Sequence, residues 1–131
     1  MCRVHDATGY HFTAIDGLTG AVSNLVDEPA GVGHPTVSPD GRWLVTDATD
    51  DSGVRRWVSM RLVDLVRGRW EDVCRVSSPA ARGEDAPLRR DAHGAWDRGG
   101  RRFLFVGAPT GGRRLFVAEP GLPAGERMEL G

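Results

Sequence analysis

Gly33-His34-Pro35-Thr36-Val37-Ser38-Pro39-Asp40-Gly41-Arg42-Trp43-Leu44-Val45-Thr46-Asp47 decides how the rest of the chain is read. Pro39 presets φ for a tight turn and Gly41 accepts a positive φ, so Thr36-Val37 and the run from Trp43 become the two arms of a β-hairpin. A second copy stands 59 residues further on, at His93-Gly94-Ala95-Trp96-Asp97-Arg98-Gly99-Gly100-Arg101-Arg102-Phe103-Leu104-Phe105. In it His93 takes the place of His34 and Gly100 that of Gly41.

Outward from these hairpins the chain continues as short apolar runs separated by turns. Tyr10 to Asp16 alternates apolar and polar side chains, as a half-buried strand does, and Ala21 to Val26 returns after Gly17-Leu18-Thr19-Gly20. Trp57 to Asp64 and Trp70 to Val76 form a second such pair around Arg67-Gly68-Arg69, with Asp16 to Gly20 spaced as Asp64 to Gly68. Ser77 to Arg90 has no periodicity and reads as a long loop. After the second hairpin, Arg113 to Ala118 is a strand, and 127–130 is expected to be a fourth, frayed one. No helical periodicity occurs.

Composition narrows the class. The 131 residues suffice for one domain with a core, and 18 Gly with 8 Pro, lying between apolar runs, suit an all-β architecture. A net charge of −1 speaks against nucleic acid as a partner. All 17 basic residues are Arg, which reads as coding bias before any need for guanidinium chemistry. Cys2 and Cys74 have neither metal-ligand spacing nor a disulfide framework around them. No apolar run approaches the ~20 residues of a membrane helix and no signal-peptide core follows Met1, so no membrane partner is expected and the chain as given reads as cytoplasmic.

Four-stranded units recurring every 50 to 60 residues, each opening on an innermost strand before a Pro-Asp-Gly-type turn, are the pattern of β-propeller blades. The expectation is an all-β, incomplete β-propeller of about two and a half four-stranded antiparallel blades: 10–27 as the outer half of one, 34–76 complete, and 93–130 as most of a third. Propellers close rings of roughly four to eight blades. The chain is then either a piece of a longer protein or one of several copies that self-assemble to close the propeller.

Such a fold brings His34 and His93 to equivalent positions of adjacent blades, near the axis. The loops on the same face carry Asp50, Asp51, Arg55 and Arg56 from one blade and Arg113 and Arg114 from the next. Imidazoles ringed by guanidinium groups suit an anionic ligand, with or without a divalent metal held by nitrogen and carboxylate oxygen. The structural alternative is that each histidine fixes the register between blades. Asp91 is a third ligand, an orienting partner of His93, or a plain loop carboxylate. The four Trp are read as packing between sheets rather than as sugar platforms.

With His34-Pro35-Thr36-Val37-Ser38-Pro39-Asp40-Gly41-Arg42-Trp43, Arg89-Arg90-Asp91-Ala92-His93 and Thr110-Gly111-Gly112-Arg113-Arg114-Leu115-Phe116-Val117, the chain resembles the oligogalacturonate lyases, seven-bladed propellers, over residues 33 to 119. TolB-like proteins and the propellers of prolyl oligopeptidases share the Ser-Pro-Asp-Gly hairpin. The resemblance implies manganese held near the axis by three histidines and a glutamine. There it would bind a uronate carboxylate of an oligogalacturonide and acidify the adjacent C5 proton for β-elimination. Carried over, His34 and His93 are two of the metal histidines, Asp91 stands where a third is expected, and Leu88 stands near the glutamine. Arg55, Arg113 and Arg114 are the substrate-carboxylate candidates. The family's general base lies on an earlier blade, so the catalytic residues are unknown here and the chain alone is expected to be inactive. The alternative function is a non-catalytic TolB-like segment serving protein interaction.

Overall fold

The computed structural model describes residues 2–6, 9–26, 33–50, 56–77, 91–110, 112–120 and 129–130, the backbone alone at 2–6, 9–10 and 129–130. None of the described residues is helical. The first sheet has the order β1-β2-β3, from Cys2–Asp6, Gly9–Ile15 and Val22–Asn24. The central sheet is an antiparallel meander of β4 (Thr36–Val37), β5 (Trp43–Asp50), β6 (Trp57–Asp64) and β7 (Arg69–Ser77). The third sheet runs β8 (Ala95–Trp96), β9 (Phe103–Gly107), β10 (Arg114–Ala118). Among the described residues no sheet closes on itself.

Both hairpin turns form as their residues dictate. Gly41 N–H donates to the Ser38 carbonyl at 2.9 Å and Gly100 N–H to the Asp97 carbonyl at 3.1 Å, with the two glycines at φ 73° and 63°. The outer turns also share one construction. Asp16 Oδ1 accepts from the Leu18 and Thr19 amides, and Asp64 Oδ1 from the Val66 and Arg67 amides.

Period-two alternation in β5 sends Leu44 to one face of the central sheet and Val45 to the other, so that sheet is buried on both. On one side Leu44 and Val63 pack with Phe12 and Val26 of the first-sheet region. On the other, Val45, Val58, Met60 and Val76 pack with Ala92, Phe103 and Phe105. Each large side chain buried there contributes about 1.5–3 kcal/mol. Thr36 Oγ1 donates to the Gly94 carbonyl at 2.8 Å and Trp96 Nε1 to the Thr36 carbonyl at 3.0 Å, tying β4 to β8.

Three details differ from the sequence reading. The first sheet has a strand, β1, in addition to the expected pair, hydrogen-bonded to β2 from Cys2↔Thr13 to Asp6↔Gly9. β11 (Glu129–Leu130) lies parallel to β7 in the central sheet instead of extending the third. Of the tryptophans, Trp96 packs against the core between sheets, whereas Trp43, Trp57 and Trp70 carry the guanidinium groups of Arg42, Arg75 and Arg61 over their rings at 4.9, 5.0 and 3.7 Å. The long loop expected over Ser77 to Arg90 lies, from 78 onward, outside the described residues, as do Asp51, Arg55 and Leu88.

Candidate metal centre

His34 and His93 each precede the first strand of a hairpin, and the tie between β4 and β8 brings them together. Their ring centroids are 3.9 Å apart with the planes inclined by 38°. Asp91 completes a cluster in which one ligand atom from each of His34, Asp91 and His93 lies within 4.8 Å of the others. Ligands around a divalent ion sit ~3–3.5 Å apart, so closing on a cation draws these groups in by about 1 Å. Two imidazole nitrogens and a carboxylate oxygen suit manganese, iron or zinc.

Asp47 gives the cluster its rigidity. It lies on the buried face of β5 that also carries Val45, and its Oδ1 accepts from the His34 amide at 2.6 Å. Nδ1 of the His34 ring lies 3.1 and 3.2 Å from the two carboxylate oxygens. A carboxylate at Nδ1 keeps the proton there and leaves the Nε2 lone pair for a ligand. Gly33 permits this approach, because a Cβ there would fall 2.6 Å from Thr46 Oγ1 and 2.7 Å from the Asp47 carbonyl carbon.

His93 is held differently. Its φ is 42°, the sole positive value at a non-glycine residue among those described, and its ring is exposed. Asp91 is largely buried, with Arg56 Nη2 at 3.5 Å from Oδ1; the same guanidinium donates to Thr49 Oγ1 at 3.3 Å. Arg56 is therefore the basic residue of the β5–β6 connection seen to reach the cluster, while its neighbour Arg55 lies outside the described residues. Arg113 and Arg114 are exposed where β10 begins, Arg114 opposite Gly107 of β9. Cys74 is buried in the core between the central and third sheets, and burial pushes its thiol up to about 12, which removes it as a thiolate ligand or nucleophile near neutral pH.

Asp47 was not named as a site residue from sequence, and Arg56 was named only as one of the guanidinium groups on that face. For Asp47 a signal was present: an acidic residue at an inward position of an alternating strand needs a partner, and a histidine precedes the strand beside it. Among known proteins, no family model matches the chain, and no curated protein matches it significantly.

Proposed function

We propose that the chain is part of a β-propeller related to the oligogalacturonate lyases, and that His34, His93 and Asp91 hold a divalent cation, manganese in the first instance. One observation carries this: two histidines 59 residues apart in the sequence meet ring to ring beside a carboxylate. The first of them has its Nδ1 fixed by the buried Asp47. A cation bound there supplies the positive charge that receives a uronate carboxylate and acidifies its neighbouring C–H. Asp47 orients His34, Arg56 orients Asp91, and Arg55, Arg113 and Arg114 are the candidates for further carboxylate contacts. No residue of the cluster is assigned as a base, and the chain by itself binds without turnover.

A structural role in a TolB-like interaction segment is favoured by a separate fact. Asp47 accepts the His34 backbone amide as well as its ring, a tie that fixes the chain with or without a cation. Calorimetric titration with manganese separates the two. In the metal-binding role, His34→Ala and His93→Ala each weaken binding at least tenfold, and oligogalacturonide is retained with manganese but not with chelator. Equal manganese uptake by wild type and variants, with lower melting temperatures in the variants, would establish the structural role instead.

A further inference from the structure

Arg56 stands where it both supports the cluster and opposes what the cluster would hold. It directly precedes β6, and its side chain, 10% exposed, passes Thr49 to reach Asp91, which is 17% exposed. Nη2 lies 3.5 Å from Asp91 Oδ1. Charge-assisted hydrogen bonds close to ~2.7–2.9 Å, so this contact is ionic rather than a closed hydrogen bond. The carboxylate cannot retreat from it through the backbone. Ala92, between Asp91 and His93, is fully buried, and its carbonyl accepts from the Val106 amide at 2.8 Å.

The charges of the cluster fix what it accepts. Asp47 and Asp91 each bring a negative charge and Arg56 a positive one, and imidazoles are neutral when they ligate. Among the described side chains the empty cluster therefore carries one net negative charge, and a divalent cation turns it into one net positive charge. That surplus falls on Arg56. Any cation that Asp91 ligates comes close to the guanidinium paired with the same carboxylate, and at 10% exposure water screens the repulsion little. A carboxylate that meets the guanidinium returns the cluster to neutrality, and the planar fork of arginine suits a carboxylate.

We propose that Arg56 couples the two ligands of this site: it holds Asp91 while the cluster is empty, resists the cation alone, and turns to the carboxylate of a uronate ligand once the cation has taken Asp91. Cation and carboxylate then bind as a pair, each raising the affinity of the other by the same factor. The inference rests on the cation site proposed above and adds a regulation to it, in which neither ligand is held well without the other. A guanidinium that served only to position Asp91 as a ligand would act with the opposite sign, since its removal would weaken the cation.

The test is calorimetric titration of the chain with manganese in buffer, in galacturonate and in galactose, the neutral sugar. In wild type galacturonate is expected to raise manganese affinity by about fivefold or more, and galactose to leave it unchanged. Arg56→Gln is expected to bind manganese alone more tightly than wild type, by about threefold or more, and to lose most of the galacturonate effect. Arg56→Lys keeps the charge without the fork and is expected to hold the wild-type affinity for manganese alone. Circular dichroism checks that the variants fold, and the wild-type comparison of the two sugars stands without them. A wild type indifferent to galacturonate overturns the proposal. So does weaker manganese binding in Arg56→Gln, a galacturonate effect that survives that substitution in full, or tighter manganese binding in Arg56→Lys. Each of these leaves the cation site standing, whereas a wild type that takes up no manganese overturns the site and the coupling together.

Discussion

His93→Gly separates a ligand from a structural residue more sharply than alanine does. At φ 42° the histidine backbone sits in the left-handed region, which costs an L-residue roughly 1–2 kcal/mol. Glycine removes that cost but adds about 0.5–1 kcal/mol of unfolded-state entropy. Losing the ring packed 3.9 Å from His34 costs about 0.5–1 kcal/mol more, since the ring is exposed. These contributions cancel to within about 1 kcal/mol. Urea denaturation in chelator should therefore leave the midpoint of His93→Gly near that of wild type, with His93→Ala below both because it keeps the strain and loses the ring. Manganese affinity should fall at least tenfold in both. A loss of more than about 2 kcal/mol in the glycine variant, a magnitude associated with core defects, would refute the reasoning and mark the ring as a structural element.

Gly33→Ala places a methyl group about 0.8 Å inside the 3.4 Å floor of ordinary contact with Thr46 Oγ1. Because the Asp47 backbone stands on the same side, His34 must move, and manganese affinity should drop about 10–100-fold, the effect of losing an orienting partner, in titrations that leave the sheet circular dichroism intact. Trp96→Phe removes the donor to the Thr36 carbonyl and should lower unfolding free energy by about 0.5–1.5 kcal/mol in urea. The turn carboxylates predict an acid limb. The Thr19 and Leu18 amides lower Asp16, the Ser38 hydroxyl lowers Asp40, and the Arg101 amide lowers Asp97. At Asp64 burial pushes upward, but Arg67 and the Val66 amide together outweigh it. With folded values below the ordinary 3.8, the unfolded chain takes up protons first as pH falls. Stability is then whole above that value and lost below it. Asp64→Asn should flatten the fall of urea midpoints below pH ~4; an unchanged slope would contradict the assignment.

Much of the fold was legible because strands and turns advertise themselves locally. Thr36–Val37 and Trp57–Asp64 stand where the alternation and the Pro39–Gly41 turn put them, and the offset between His34 and His93 is a property of sequence spacing that the sheet stacking turns into proximity. β1 was missed because five residues, Cys-Arg-Val-His-Asp, are too few to carry a period against their polar character. β11 was given the wrong neighbour because a two-residue strand says nothing of which edge it joins. The site was half legible. Which residues are histidines can be read, but that Asp47 turns inward to hold one of them depends on the register of β5 against β4. The arginines over Trp57 and Trp70 were hidden for the same reason, since they meet across strands rather than along one.

The most direct test of the cation site is pulsed electron paramagnetic resonance of the chain loaded with manganese. The proposed site should give nitrogen couplings from histidine ligands that weaken in His34→Ala and vanish in the His34→Ala/His93→Ala double variant. A spectrum of fully hydrated manganese in wild type, or nitrogen couplings that survive the double substitution, would contradict it.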